Sequence, residues 1–310
     1  MHECVSPMPE VSIIIPTHNR AELLPRAIAT VLNQTFQDFE IIVVDDASED
    51  NTQDIMKNFA DQRIRYIRHE INKGVATARN TGILNSQGRY IAFLDDDDEW
   101  LPGKLEKQFE LLEKSPIVGV AYTGSFAIEA SSRKILNQLS PREKGNIFDK
   151  ICIQKSIAPT STFFLRKECF EKVGLFDASL DFGEDFDMWL RISKEFRFEY
   201  IEEPLVRFSV PDSRHSLSGN YDLMIRGNEA QLRKYASLFA SDRKSYSHCY
   251  LGLGVLYCYN GNVSKGRESL IKAIKIYPFE PRHYFNLCLS FLGAKNFKKL
   301  KMLKEEWRVR

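Results

Sequence analysis

Short apolar runs alternate with longer amphipathic stretches in the N-terminal part of the chain. Four mainly apolar runs predict buried strands: Val11–Ile15, Glu40–Val44, Ile64–Ile67 and Tyr90–Leu94. The stretches between and after them space apolar residues three or four positions apart and predict helices: Ala21–Gln34, Thr52–Phe59, Val75–Ser86 and Leu101–Lys114. Apolar strands that alternate with helices are typical of a mostly parallel sheet with helices on both faces. This part of the chain is therefore predicted to be an α/β domain.

The pattern changes after this region. Further strands are predicted at Val118–Phe126, Ser161–Leu165 and Phe198–Ile201, and a helix at Asp185–Phe196. From about residue 222 onward only helical spacing remains. We therefore predict a tail at residues 1–9, an α/β domain at 10–220 and an all-α region at 221–310.

Three polar clusters follow three of the predicted strands. Pro-Thr-His-Asn-Arg at 16–20 follows the first strand, Asp-Asp-Ala-Ser at 45–48 the second, and Asp-Asp-Asp-Asp-Glu at 95–99 the fourth. In open α/β sheets, ligands bind beyond the carboxyl ends of the strands. The three clusters are therefore expected to meet at one edge of the sheet and to form a binding site.

The acidic run at 95–99 is the strongest chemical signal in the chain. Five adjacent carboxylates repel one another, so a folded site tolerates them best around a cation. Mg²⁺ and Mn²⁺ take oxygen ligands and are often held by one or two carboxylates together with substrate phosphates. A solvated acidic loop at the start of the following helix is the alternative interpretation.

Two other segments carry candidate chemistry. A carboxylate at Asp45 or Asp46 can accept a hydrogen bond from an imide N–H, and capping of the next helix by Ser48 and Asp50 is the alternative. The segment 183–191, Gly-Glu-Asp-Phe-Asp-Met-Trp-Leu-Arg, begins a helix with acids in its first turn. There they either stabilise the helix dipole or provide a general base.

Composition and charge narrow the functional classes. The 310 residues include 43 Lys and Arg and 42 Asp and Glu, a net charge of +1 that argues against a nucleic-acid binder acting through bulk basicity. The balance hides an asymmetry: 27 cations and 37 acids stand before residue 231, and 16 cations and 5 acids follow. Six cysteines without CxxC spacing, and no apolar leader or membrane span, predict a cytoplasmic protein with reduced thiols.

The motifs in their order and spacing resemble family 2 glycosyltransferases with the GT-A fold. The resemblance rests on VSIIIPTHN at 11–19, EIIVVDDAS at 40–48, GVATARNTG at 74–82, YIAFLDDDDEW at 90–100 and GEDFDMWLR at 183–191. It implies a metal-dependent, inverting transfer from a nucleotide-diphosphate sugar, most simply a UDP-sugar, with Mn²⁺ or Mg²⁺, to a glycan or lipid-linked hydroxyl. The absence of a QxxRW motif disfavours a processive synthase.

The resemblance also implies roles for individual residues. Asp185 is the expected general base and Glu184 the second candidate, and Trp189 either stacks on an acceptor sugar or belongs to the core. The metal ligands are expected to be Asp97, Asp95 and His215, although a solvated loop is the alternative for His215. The nucleotide-sugar is expected to contact Pro16, Thr17, Asn19, Asp45, Gly74, Arg79, Asp95 and Asp96.

The C-terminal region is similar to a tetratricopeptide repeat. One full repeat spacing starts at Tyr250, and a second begins 34 residues later at Tyr284. Helices of this kind are expected to pack on the catalytic domain or to pair two protomers. The basic segment 295–310 is either a peripheral membrane contact on the inner face of the plasma membrane or a solvated capping face.

Two rivals to sugar transfer remain from the sequence. A sugar nucleotidyltransferase would carry a glycine-rich loop with Arg and Lys after the first strand, where this chain has Pro-Thr-His-Asn. A nucleotide-sugar-binding scaffold without transfer activity would have no need for the acids at Asp97 and Asp185.

Overall fold

The computed structural model describes residues 8–154, 157–210 and 220–300. These residues form two compact units. The first contains residues up to 179 together with 184–210, and the second contains 180–183 together with 220–300.

The first unit is built around one sheet of nine strands within the described residues. The strands are β1 Val11–Thr17, β2 Phe39–Asp45, β3 Ile64–Arg68, β4 Tyr90–Phe93, β5 Glu99–Trp100, β6 Val118–Glu129, β7 Ile135–Leu139, β8 Phe164–Arg166 and β9 Arg197–Val210. Their order is β3-β2-β1-β4-β8-β6-β9-β5, and β7 pairs with β6. The predicted α/β fold is confirmed, and the sheet is mixed.

The half of the sheet formed by β3, β2, β1 and β4 is parallel, as the sequence predicts. Its strands are buried on both faces, and their continuous apolar runs follow from that burial. The register pairs Thr17 with Asp45, so the residues at the ends of β1 and β2 lie side by side. This pairing places two of the three polar clusters together.

The other half is mostly antiparallel. The strand β8 lies between β4 and β6 and runs against both, whereas the long strands β6 and β9 run parallel to each other. Two strands of this half, β5 and β7, were not predicted from the sequence. Glu99–Trp100 is too short to show a strand pattern, and Ile135–Leu139, which is exposed throughout, lacks the alternation of apolar and polar residues typical of a half-buried strand.

Helices cover the sheet of the first unit: α1 Leu24–Leu32, α2 Thr52–Lys57, α3 Val75–Asn85, α4 Lys104–Lys114, α5 Phe148–Gln154, α6 Glu168–Val173 and α7 Glu184–Glu195. The helix α3 crosses β1 closely at Gly82, where a Cβ atom would lie 2.4 Å from Cγ2 of Ile14. This close approach needs glycine, and it fixes the helix that carries Arg79 against the central strands.

In the second unit, residues 221–300 form helices joined by short turns, which confirms the predicted all-α region. Its helices are α8 Tyr221–Lys234, α9 Ala236–Ser241, α10 Arg243–Tyr259, α11 Val263–Ile276 and α12 Pro281–Ser290, followed by a helical segment at 293–300. Among all described residues, no helix has the length and apolar character that a membrane crossing requires.

The helix α12 has an unusual distribution of polar and apolar side chains. It buries His283, Asn286 and Ser290, which recur at helical spacing on one face. The neighbouring apolar side chains are exposed, with Tyr284 at 44%, and Phe291 and Leu292 just beyond the helix at 65% and 52%. This arrangement is the reverse of an ordinary amphipathic helix.

Candidate active site

The polar clusters that follow β1 and β4 meet at the carboxyl edge of the parallel half. The Thr17 hydroxyl donates a 2.6 Å hydrogen bond to Oδ2 of Asp96. Both residues are buried, and 79 positions separate them in the chain. The structure therefore assembles the predicted edge of the sheet, where the acids at 95–99 form an acidic rim.

Arginine side chains neutralise the acidic run at 95–99. Nη1 of Arg20 lies 3.6 Å from Oδ1 of Asp96 and donates to Oδ2 of Asp97. Glu99 at the end of the run contacts three further guanidinium groups, those of Arg26, Arg133 and Arg207. A cation among these acids was predicted from the sequence, but the arginines in that position were not.

Burial favours the protonated form of some of these carboxyl groups. It raises the pKa of Asp96 to about 7, against the opposing influence of Arg20 and the Thr17 hydroxyl. Burial also raises the pKa of Asp97, which Arg20 again opposes. The rim therefore carries less negative charge at neutral pH than its five acids suggest.

Asp98 has a structural role that the sequence analysis did not separate from its neighbours. It is buried, its Oδ2 accepts the Ser161 hydroxyl at 2.6 Å, and its Oδ1 accepts the Ser209 backbone N–H at 2.8 Å. Burial raises its pKa well above the usual range. Asp98 thus fixes the end of the acidic run to β9 and to the turn before β8.

Arg79 joins the acidic rim to the start of α7. Its Nη2 donates to Oδ1 of Asp95 at 2.9 Å, and its Nη1 donates to Oε1 of Glu184 at 2.7 Å. The guanidinium is only 5% exposed, so the bridge is shielded from water. Arg79 on α3 therefore links Asp95, which is predicted to contact the nucleotide-sugar, to Glu184, the second candidate for the general base.

Asp185 lies next to this bridge in the first turn of α7. Its Oδ1 accepts the Phe186 backbone N–H at 2.7 Å. Burial and the neighbouring charge of Glu184 raise its pKa to about 6, while Arg79 acts in the opposite direction. A carboxyl group with such a pKa can take up a proton near neutral pH, as a general base must.

A second carboxylate, Asp46, organises the loop that leads into α3. It accepts hydrogen bonds from the Lys73 and Gly74 backbone N–H groups at 2.9 and 2.7 Å, and it lies 2.7 Å from Nδ1 of His69. Gly74 has a positive φ of 84° at the helix start. Asp46 was one of two carboxylates considered from the sequence, but only Asp45 was predicted to contact the nucleotide-sugar.

Asp45 is fully buried beneath this loop. Its Oδ1 accepts the Ser48 backbone N–H at 2.8 Å, and its Oδ2 accepts the Tyr66 hydroxyl. Asp50 accepts the Thr52 backbone N–H at 3.0 Å in the first turn of α2, although Asn51 is the N-cap residue and its side chain makes no cap hydrogen bond. Recognition of a base by Asp45 stays a prediction.

A cavity of about 540 Å³ opens beside the ends of β1, β2 and β3. It is lined by His18, Asn19, Ala47, Glu49, Arg68, Glu70, Ile71 and Asn72. Asn19 and Ala47 both have positive φ angles, and the Asn19 amide oxygen accepts the Glu49 backbone N–H at 2.7 Å. Its volume lies within the range of small-molecule sites.

Three other predicted site residues have different outcomes. Trp189 is 2% exposed and stacks on Phe163 with ring centroids 4.1 Å apart, which favours the alternative that it belongs to the core. Pro16 is buried within β1, opposite Val44. His215 lies outside the described residues.

The carboxylates of the rim have the chemistry to bind a divalent cation, but in this structure they pair with arginine side chains. Carboxylate oxygens suit Mg²⁺ and Mn²⁺. Arg79 donates to Oδ1 of Asp95 and Arg20 donates to Oδ2 of Asp97, so guanidinium groups already pair with both carboxylates. Within the described part of the chain, His, Cys, Asp and Glu side chains do not gather in threes around a possible ion.

Comparisons with known proteins identify related sequences. The family profile described as Glycosyl transferase family 2 matches residues 12–174. An uncharacterized glycosyltransferase of Methanocaldococcus jannaschii is 31% identical over 216 residues, which are 68% of this chain and 74% of that protein. The Escherichia coli UDP-Glc:alpha-D-GlcNAc-diphosphoundecaprenol beta-1,3-glucosyltransferase WfgD is 44% identical over 107 residues, 34% of this chain and 42% of WfgD.

A solved structure supports the fold. The crystal structure of S. aureus TarS 1–349 in complex with UDP-GlcNAc aligns with a TM-score of 0.62 at 17% sequence identity, over 96% of this chain and 91% of that one. This likeness confirms the GT-A-like arrangement of the α/β sheet and the presence of an all-α region after it.

Proposed function

The chain belongs to glycosyltransferase family 2, and from this premise we propose that it transfers a sugar from a nucleotide-diphosphate sugar to an acceptor hydroxyl with inversion. The observation that carries the proposal is the Arg79 bridge between Asp95 and Glu184. It holds the acidic rim, where the donor would bind, beside the helix that presents Asp185. This arrangement supports a single site for the donor and the base.

The proposed reaction is a single displacement. Asp185 removes the proton of the acceptor hydroxyl as its oxygen attacks the anomeric carbon, and the bond from that carbon to the diphosphate oxygen breaks. The nucleoside diphosphate leaves with the bonding electrons, and the proton remains on Asp185. Attack from the face opposite the leaving group inverts the anomeric centre, so no covalent enzyme intermediate is required.

The donor is proposed to lie along the rim. The nucleoside would occupy the cavity beside Asn19 and Arg68, close to the buried Asp45. The diphosphate would lie toward Asp95, Asp96 and Asp97. Asp95 and Asp97 would hold Mn²⁺ or Mg²⁺, and a metal there would neutralise the charge that develops on the leaving diphosphate.

UDP is the proposed nucleotide and a lipid-linked glycan the proposed acceptor. Both follow from WfgD, whose name specifies UDP-Glc and a diphosphoundecaprenol-linked sugar, and which shares 44% identity with this chain over 107 residues. This segment covers less than half of WfgD, so the donor sugar and the linkage are not carried over.

A screen of nucleotide-diphosphate sugars, read as nucleotide release with Mn²⁺ and a lipid-linked acceptor, tests the proposal. We expect release from at least one UDP-sugar and its loss in Asp97→Ala. The matched control is Asp54→Ala, because Asp54 is exposed and pairs only with a neighbouring lysine in its helix. Nucleotide binding without release from any donor would favour the scaffold, and release of pyrophosphate from sugar phosphate and UTP would favour the nucleotidyltransferase.

Membrane contact is the second part of the proposal. A lipid-linked acceptor requires access to a bilayer surface, and the basic segment 295–310 begins with two exposed lysines, Lys295 and Lys299. Replacing both by Gln is expected to weaken sedimentation with anionic vesicles. Equal sedimentation of the wild type and the double variant would instead support a solvated capping face.

A further inference from the structure

Arg20 occupies the side of the acidic rim where the proposed metal ligand Asp97 lies. Its Nη1 donates to Oδ2 of Asp97 and lies 3.6 Å from Oδ1 of Asp96. The backbone on each side of Arg20 is fixed, because Asn19 N–H donates to Ser48 Oγ at 2.9 Å and Ala21 N–H donates to Asp50 Oδ2 at 3.0 Å. The loop therefore fixes the backbone of Arg20 beside the acids, while the side chain stays partly exposed.

The two arginines of the rim differ in their freedom to leave it. Arg79 is 5% exposed and is anchored to Asp95 and Glu184 at once. The side chain of Arg20 is 35% exposed and contacts Asp96 and Asp97, which are adjacent in the chain. Breaking a partly exposed ion pair costs far less than breaking a buried one. Arg20 is therefore the cation that can be displaced.

A guanidinium and a divalent ion compete for the charge of the same carboxylate. A metal bound to Asp97 would stand close to the positive charge of Arg20, and like charges at such short range repel. The metal would therefore either bind weakly while Arg20 stays or move Arg20 away from Asp97. In the second case the freed guanidinium becomes available to an anionic donor.

We propose that Arg20 is a resident counter-cation of Asp97 that a divalent metal must displace, so that it lowers the metal affinity of the donor-free protein. The inference rests on the proposed function only for the identity of Asp97 as a metal ligand. It assigns Arg20 a regulatory part in that function, as the residue that sets how much metal binds before the nucleotide-sugar arrives.

Titration of the donor-free protein with Mn²⁺, followed by electron paramagnetic resonance of the free ion, tests the proposal. We expect Arg20→Met to lower the Mn²⁺ dissociation constant by about fivefold, the effect of removing one partly exposed ion pair. Arg20→Lys, which keeps the charge, should stay near the wild type. Arg89→Met is the matched control, because Arg89 is exposed and pairs with Glu10.

The outcomes separate this inference from the proposed function. Equal Mn²⁺ affinity in the wild type and Arg20→Met would overturn the role of Arg20 and leave sugar transfer untouched. No Mn²⁺ binding by either protein would overturn the metal site itself. If Arg20→Met does not fold, NMR of the arginine Nε–Hε groups in the wild type gives the same decision. Saturating Mg²⁺ should shift the Arg20 signal, and an unchanged signal would contradict displacement.

Discussion

The acids of the rim and the acid at the start of α7 are held in different ways. Asp96 and Asp97 face the guanidinium of Arg20, and Asp96 also accepts the Thr17 hydroxyl. Asp185 accepts a backbone N–H of its own helix and feels the charge of Arg79 without an ion pair to it. The rim acids are thus fixed by cations, whereas Asp185 is positioned mainly by its helix.

This difference suits the two groups of acids to different functions within one site, namely ligand binding and proton transfer. The carboxyl groups of Asp96 and Asp97 are held in place by the guanidinium of Arg20, although burial raises the pKa of both, and a fixed position suits a ligand for a metal or a sugar. A partly buried carboxyl group with a pKa raised to about 6 exchanges its proton readily, which suits a base. The following variants test this separation.

Asp185→Asn should have the largest effect. It keeps the shape of the side chain and removes the base, so we expect kcat to fall by roughly 10³-fold or more. UDP binding, measured by calorimetry, should not change. Asp181→Asn, an exposed residue four positions earlier, is the matched control. Transfer at the wild-type rate by Asp185→Asn would end the assignment of Asp185 as the base.

Arg79→Met should have the next largest effect, and mainly on stability. It leaves Asp95 and Glu184 without their shared buried cation, and loss of one partner of a buried ion pair costs about 3–5 kcal/mol. Urea unfolding measures the change in the free energy of unfolding. The exposed pair of Arg89 and Glu10 provides the comparison, since Arg89→Met should cost under about 1 kcal/mol. Equal losses would show that the bridge is no stronger than a surface pair.

The pH dependence of the reaction should report Asp185. A base acts when deprotonated, so kcat/KM should rise about tenfold per pH unit below about pH 6 and level off above it. Because the positive charge of Arg79 lowers the pKa of Asp185, Arg79→Met should move the midpoint to higher pH. A midpoint that moves to lower pH would contradict this electrostatic arrangement.

Thr17→Val should have the smallest effect. It removes the 2.6 Å hydrogen bond to Asp96 while keeping the shape of the side chain, at a cost of about 1–2 kcal/mol in the free energy of unfolding. Urea unfolding measures this cost, and kcat should change little because Thr17 contacts the rim and not the base. A large loss of kcat with unchanged stability would place Thr17 in direct contact with the reacting sugar.

The sequence predicted the parallel half of the sheet well because its signal is local. Each of β1, β2 and β4 is an apolar run buried on both faces, so the strands are visible without their neighbours. The antiparallel half depends on distant pairing. In β9, only Phe198–Ile201 was predicted, while the strand extends to Val210 because β6 pairs with it again from Pro204 onward, after a register shift at Glu202 and Glu203.

The position of the candidate site was predictable from the sequence, but the cations that pair with its acids were not. Strand ends located the acids, since Thr17 and the 95–99 run follow strands that are adjacent in the sheet. The cations among them were not predictable, because Arg20 and Asp97 lie 77 positions apart and Arg79 and Glu184 lie 105 apart. No local pattern in the sequence connects these residues.

The exposed apolar residues and the thiol on and beside α12 influence the solubility and self-association of the protein. Its exposed face carries Tyr284 and the thiol of Cys288, with Phe291 close by. Exposed apolar side chains promote self-association, and an exposed thiol forms intermolecular disulfides in air. We expect Cys288→Ser, or a reducing agent, to remove covalent dimers, and polar replacements of Phe291 and Leu292 to raise solubility without lowering the melting temperature. Substitutions at the buried residues His283 or Ser290 would alter the interior of the helical unit instead.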